Sequence, residues 1–327
     1  MIPRLGFLGV GWIGRARMQA IVDSGLADVV AVADADPAVA EESAAGVGAT
    51  AVGPAAVLAG DLGLDGLVIA TPSALHAEQA ATALGHGMAV FCQKPLGRTA
   101  RECEAVVGAA SAHDRLLGVD LSYRFVAGVA QMREIVAEGG IGRPYAAELV
   151  FHNAYGPDKA WFLDPAQSGG GCVLDLGTHL LDLGLWMLGR PEVEQVSARL
   201  FRSGRPFELG AGEVEDHGVV RVDLAGGAML TLACSWFLPA GQDAMIGATF
   251  YGADGGVGLR NLDGSFYDLC TERFRGTSRE LLAGPPDAWG GRAAVDWVRR
   301  LAGGCRFDPE VASAIEVARV VDRVYGR

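Results

Sequence analysis

The chain has 327 residues, half of them apolar, which is material for two domains of about 150 residues with sizeable cores. Its formal net charge is −12, with no extended basic run. That balance argues against nucleic acid and anionic membrane surfaces as partners.

From the N-terminus, Leu5–Leu8 is an apolar run that leads into glycines and then a helix through Gln19–Ser24. Val29–Ala33, Leu67–Ala70, Ala89–Cys92 and Leu116–Val119 read as further strands, with helices over Ala74–His86 and Ala100–Ala112. Continuous apolar strands alternating with helices predict a parallel sheet covered on both faces. Right-handed crossovers then make it a doubly wound Rossmann domain. The character changes near Asp120–Phe125, so a first domain of 1–121 and a second of 122–327 are expected. Beyond Tyr145 the runs Ala147–Phe151, Val193–Phe201, Ile246–Tyr251 and Phe266–Cys270 read as strands. His217–Leu224 turns through Ala225-Gly226-Gly227 into Met229–Trp236 as a hairpin. One helix over Val173–Leu188, closed by Gly189 and Pro191, interrupts them. A last helix over Pro309–Val324 is a candidate to pack back on the first domain. The chain therefore reads as α/β: a Rossmann domain followed by an α+β domain on a mostly antiparallel sheet.

No apolar stretch reaches the roughly 18 residues of a transmembrane helix. The N-terminal apolar run ends in glycines, not at a small-residue cleavage site, so a cytoplasmic protein is expected. Cys92, Cys103, Cys172, Cys234, Cys270 and Cys305 form no Cys-x-x-Cys pair and are expected to be buried free thiols.

Four segments carry chemistry. Gly9, Gly11 and Gly14, with Trp12 and Ile13 between them, form a glycine-rich turn from strand to helix, where backbone N–H groups can approach a pyrophosphate. Asp34 ends the next strand about 20 residues on, where a carboxylate binds a ribose 2′-hydroxyl. The plainer alternative is a structural turn and a surface Asp. A carboxylate there repels a 2′-phosphate, and neither Arg nor Lys follows in Asp34-Ala35-Asp36-Pro37, so NAD is expected over NADP. The turn Thr71-Pro72-Ser73-Ala74-Leu75-His76 follows another strand, which makes Thr71, Pro72 and His76 cofactor candidates. An ordinary turn capped by Ser73 explains the same segment. Gln93 and Lys94 follow the Ala89–Cys92 strand and are further cofactor candidates; Lys94 is either a donor to substrate and ribose oxygens or a solvated surface lysine. Finally, Gly169-Gly170-Gly171 precedes an apolar helix in which Asp175, His179 and Asp182 share one face at i, i+4 and i+7. Polar groups on so apolar a helix need partners. A catalytic cleft would supply them, with His179 shuttling a proton and Asp175 orienting it. A satisfied core histidine is the alternative, and no metal site is expected without a second clustered His or Cys.

Together GVGWIG, ATPSALH, QKPLG, WFLDPAQSGGGCVLDLGTHLLDL and Leu188-Gly189 resemble, in order and spacing over nearly the whole chain, the glucose–fructose oxidoreductase, inositol dehydrogenase and MocA family. The resemblance implies a C-terminal domain with a large open sheet, oxidation or reduction of sugars, cyclitols and related polyols, and homodimers or homotetramers paired through that sheet. Lys94 matches the lysine of the family's Glu-Lys-Pro, and Asp175 and His179 match its Asp-x-x-x-His. Gln93 stands where the family usually has Glu, and Ser122 where many members carry Asn. In the implied reaction His179 takes the proton of a substrate hydroxyl, Lys94 holds that hydroxyl and Asp175 orients His179. Gln93 would orient Lys94 through its acceptor oxygen. Arg124, His152, Tyr155 and Trp161 are further substrate-contact candidates, each with a plain structural alternative. Two other functions stay open: a glycosidase or lyase that uses bound NAD transiently, and a dinucleotide-binding protein without turnover. The proton-handling set argues against the second.

Overall fold

A computed structural model describes residues 2–210 and 212–327. The chain divides into two compact units, Met1–Asp120 with Gly291–Ile315, and Leu121–Gly290 with Glu316–Arg327.

In the first unit, β1 (Arg4–Leu8), β2 (Asp28–Ala33), β3 (Thr50–Ala51), β4 (Gly66–Ile69), β5 (Ala89–Cys92) and β6 (Leu117–Val119) form a parallel sheet in the order β3-β2-β1-β4-β5-β6. The connections carry α1 (Trp12–Ser24), α2 (Pro37–Val47), α3 (Pro54–Leu58), α4 (Ser73–Gly85) and α5 (Ala100–Ala112). This is the doubly wound order expected from the strand–helix alternation. Leu5, Phe7, Leu67, Val68, Ile69, Val90 and Phe91 are all buried. A strand covered on both faces has no use for polar alternation, which is why these read as continuous apolar runs.

The second unit holds α6 (Val129–Ala137), β7 (Pro144–Asn153), α7 (Pro165–Ser168), α8 (Thr178–Met187), β8 (Val193–Arg202), β9 (Arg205–Pro206), β10 (His217–Leu224), β11 (Met229–Ser235), β12 (Ala244–Gly252), β13 (Gly255–Asn261), β14 (Leu269–Arg275) and β15 (Ser278–Ala283). Among the described residues its nine strands order as β15-β14-β13-β12-β7-β11-β10-β8-β9. Every pair is antiparallel except β7 with β11. The expected hairpin is β10–β11, in register from His217↔Ser235 to Asp223↔Met229. On one face Leu149, Phe151, Val220, Val222, Leu232, Ile246 and Phe250 join a core with Leu180, Leu181 and Leu183 of α8. Each such side chain contributes roughly 1.5–3 kcal/mol on burial.

Two expectations shift here. The strand expected over Phe266–Cys270 begins instead at Leu269, because Ser265 Oγ donates to Asp268 Oδ2 (2.9 Å) and accepts from the Tyr267 N–H (3.1 Å), closing a turn first. The helix expected over Val173–Leu188 opens with a π-helical turn, Val173–Gly177, before α8. Such turns occur often at functional sites.

After β15 the chain rejoins the first unit through α9 (Arg292–Ala302), a departure from the simple division at 121 and 122. Trp297 is the reason. Its ring lies 5.7 Å from that of Phe91 on β5, and glycines make room for it. A Cβ at Gly66 would stand 2.8 Å from Trp297, and one at Gly118 would stand 2.7 Å away. The final helix, α10 (Ser313–Val324), belongs from Glu316 onward to the second unit, where Val317, Val320, Val321 and Val324 enter the core.

Candidate active site

In the first unit the glycine turn is shaped by contacts that exclude side chains. Gly9 has φ +88°, and a Cβ there would lie 2.6 Å from the Ala70 carbonyl. A Cβ at Gly14 would lie 2.2 Å from the Gly9 oxygen. Gly11, by contrast, faces open space within 4 Å and caps α1 without any side-chain hydrogen bond. The first N–H groups of α1 thus lack a side-chain cap, which suits a pyrophosphate. Asp34 Oδ2 accepts from the Val10 N–H (2.8 Å) and Oδ1 from the Asp36 N–H (3.1 Å), so this carboxylate holds the glycine turn from the end of β2. Trp12 is exposed, while Ile13 is half-buried.

The other candidates of this unit fall into two groups. Thr71 donates to Gln79 Oε1 (2.6 Å), and Ser73 is buried without capping α4, which begins behind Pro72. His76 is buried, with Nδ1 2.7 Å from the Pro95 carbonyl and Nε2 2.7 Å from that of Thr71. Burial pushes its imidazole below the ordinary value, although both carbonyls favour the protonated ring. His76 is therefore a brace between the β4 and β5 loop ends. Lys94 is half-buried at the end of β5. Gln93 beside it donates its amide N–H to Asp120 Oδ2, the same oxygen that accepts from Arg17 Nε at 2.6 Å.

In the second unit the Gly169–Gly171 turn is drawn onto a buried carboxylate. Glu215 has no exposed surface and accepts from the Gly171 N–H (3.0 Å), the Val173 N–H (2.9 Å) and the Tyr325 hydroxyl (2.8 Å). A Cβ at Gly171 would lie 1.9 Å from the Glu215 carbonyl oxygen, and one at Gly170 would lie 2.5 Å from the Tyr325 oxygen. Burial raises the Glu215 carboxyl above its usual value against these hydrogen bonds. The turn so held starts the helical run that carries Asp175 and His179, both only half-buried among buried neighbours. The Trp236 indole N–H donates to Asp175 Oδ2 (3.2 Å), and the Tyr123 ring lies 5.1 Å from the His179 ring. Burial pushes the Tyr123 phenol up first of all, with the Tyr267 and Asp175 charges adding to it.

Asp182, the third polar residue of the stripe, is buried and paired. Arg124 donates from Nε to Asp182 Oδ2 (2.7 Å) and from a second nitrogen to Oδ1. The Arg124 guanidinium also lies 5.4 Å over the Trp186 ring. His152 takes another place. Its neighbours in register are Ser235 and Met245, on the face opposite Phe151, Cys234 and the core. Its Nδ1 is 2.8 Å from Ser235 Oγ and its ring stacks on His217 at 5.8 Å. The structure therefore does not bring His152 together with Asp175 and His179, a result already implicit in the period-two alternation of β7. Tyr155 is exposed and donates to Asp243 Oδ1 (2.7 Å). Trp161 stacks on Phe162 at 3.8 Å, and Phe162 meets the Trp236 ring edge-on at 6.3 Å, an aromatic path to the residue that holds Asp175.

Trp236, Tyr123, Glu215 and Asp120 were not legible as site residues, since none sits in a local motif. Of the cysteines, none is in a disulfide and five are buried as expected, but Cys305 is exposed, in the glycine turn that follows α9. Among the described residues no cluster of three or more His, Cys, Asp or Glu side chains could hold a metal ion.

Comparison with known proteins gives a consistent picture. Residues 3–121 match the oxidoreductase family with the NAD-binding Rossmann fold, and residues 129–257 match the GFO/IDH/MocA C-terminal domain. Inositol 2-dehydrogenase 3 of Saccharopolyspora erythraea is 30% identical over 321 residues, 97% of this chain and 85% of that protein. An inositol 2-dehydrogenase of Acidothermus cellulolyticus is 29% identical over 95% of this chain and 94% of its own length. Among solved structures, levoglucosan dehydrogenase in complex with NADH and L-sorbose shares the fold, with a TM-score of 0.83, 22% identity and coverage of 99% of this chain and 96% of that one.

Proposed function

This chain belongs to the GFO/IDH/MocA family of NAD-binding oxidoreductases, and we propose that it moves a hydride between NAD and a hydroxyl-bearing carbon of a cyclitol, sugar or related polyol. The observation that carries the reading is the half-buried pair Asp175 and His179, on a mostly buried helical run behind a glycine turn clamped by Glu215. When bound, the nicotinamide takes up or returns the hydride. His179 takes the hydroxyl proton in the oxidative direction and returns it in reduction. Asp175, fixed by the Trp236 indole, keeps the His179 ring oriented. Lys94 stabilises negative charge on the reacting oxygen. Gly11 and the N-terminus of α1 receive the pyrophosphate, and Asp34 at the turn favours NAD over NADP.

A panel of cyclitols, polyols and sugars, read by NADH absorbance, tests the assignment. His179→Ala should lower turnover by about 10²- to 10⁴-fold and leave NAD affinity near wild type. Lys94→Ala should impair turnover and weaken substrate binding as well. Substrate consumption without net NADH would instead mark a lyase or glycosidase that uses NAD transiently.

We also infer self-association through the outer face of the nine-stranded sheet, where Val219 and Met245 are exposed beside Glu148 and Arg221. A monomer by light scattering at micromolar concentration would overturn this. Six cysteine thiols, none of them in a disulfide, suit a reducing compartment, which supports a cytoplasmic location.

A further inference from the structure

The family motif puts a glutamate before the lysine, and this chain has Gln93 there. The hydrogen bonds around Gln93 account for the difference. Its amide N–H donates to Asp120 Oδ2, which also accepts from Arg17 Nε at 2.6 Å. Asp120 is 1% exposed and Gln93 9%. A glutamate at position 93 would set one carboxylate against another in a buried space, with a single guanidinium between them. A glutamine removes that repulsion and adds the donor that Asp120 needs. Asp120 Oδ1 is also buried and has no hydrogen-bond partner among the described residues, so the carboxylate keeps acceptor capacity in hand.

We propose that Asp120 is a positioning residue for Lys94, and that it supplies from the end of β6 the carboxylate that the family motif places at position 93, just after β5. Gln93 is the link. It is covalently next to Lys94, and its side chain is tied to a carboxylate that Arg17 anchors to α1, the helix that opens at the glycine turn. The Asp120 main chain is fixed as well, since its N–H donates to the Cys92 carbonyl at 2.9 Å. Arg17, Asp120 and Gln93 together carry no net charge. Moving the carboxylate to position 93 and an amide to position 120 would leave that sum unchanged. The two arrangements are therefore interchangeable in charge, whereas a chain with both carboxylates or neither is not.

The inference rests on the proposed role of Lys94, and a charge swap tests it. Wild type, Gln93→Glu, Asp120→Asn and the double variant are compared for kcat, substrate KM and NAD affinity. Each single change should lower kcat about tenfold or more, with NAD affinity within about twofold of wild type. In the double variant, Arg17 and the amide introduced at position 120 can both donate to the carboxylate introduced at position 93. It should recover kcat to within about threefold. Single losses that multiply in the double variant would overturn the pairing. So would single variants that lose melting temperature but keep wild-type kcat, since that is what a purely structural network would do. Lys94→Ala is measured alongside. Normal turnover there would sink the role of the lysine, whereas an inactive Lys94→Ala with no rescue in the swap would sink only the role of Asp120.

Discussion

Replacing Glu215 by alanine should destabilise the second unit and slow turnover together. The substitution strands three donors that now meet one carboxylate, the N–H groups of Gly171 and Val173 and the Tyr325 hydroxyl, at 3.0, 2.9 and 2.8 Å. Each buried donor without a partner costs about 1–3 kcal/mol. Against this, the variant no longer buries a charge, and burial outweighs the hydrogen bonds in setting the direction of the Glu215 shift. The net loss should be roughly 2–4 kcal/mol. For a unit of this size that lowers the melting temperature by about 5–15 °C. Circular dichroism melts of wild type, Glu215→Ala and Glu215→Gln read it directly. Glutamine should lose less, because its carbonyl oxygen can keep Val173 and Tyr325 while only Gly171 faces an amide N–H. The sign of the pH dependence follows from the raised carboxyl. The cost of burying the charge is full above the folded-state value and is relieved as pH falls through it toward the ordinary carboxylate range. Wild type should therefore gain on the non-titrating glutamine variant as the buffer is acidified. Turnover of Glu215→Ala should drop more than NAD affinity, because the turn it holds begins the run that carries Asp175 and His179. A Glu215→Ala melt within about 1 °C of wild type would refute the reasoning, since it would mean the three donors find other partners at no cost.

Asp34→Ala removes the acceptor for the Val10 and Asp36 N–H groups, and NAD affinity by titration should fall about tenfold, or 1.4 kcal/mol; an unchanged Kd would show that the carboxylate has no part in holding the turn for the cofactor. Arg124→Leu leaves Asp182 buried without its guanidinium, which should cost about 3–5 kcal/mol in denaturant unfolding; a loss under about 1 kcal/mol would place Asp182 in contact with water after all. Burial lowers the imidazoles of both His76 and His152, so the stability they lend is complete above the ordinary histidine value of about 6.5 and is lost as pH falls through their lower folded-state values. Melts between pH 7 and pH 5 should show that decline, and a His76→Gln variant with the wild-type slope would remove His76 from its cause.

Much of this protein is written locally. Continuous apolar runs between helices specify the parallel sheet, and period-two runs specify the mostly antiparallel one, because one sheet is covered on both faces and the other sorts its side chains by face. The glycine turn, Asp34 at the end of β2, and Asp175 and His179 on one helix are equally local, since a turn or one helical face is set by residues a few positions apart. Trp297 shows where that reach ends. Its fit over Gly66 and Gly118 returns α9 to the first unit, and no spacing in the sequence connects the three. The same holds for Glu215 beneath Gly171, Trp236 on Asp175, Arg124 on Asp182, and Asp120 with Arg17 on Gln93. In each case a buried polar group needs a partner, but which residue serves depends on neighbours tens of residues away in the chain. Hydrogen bonding demands a distance near 3 Å in space and is indifferent to separation in sequence, so only the tertiary structure decided those pairs.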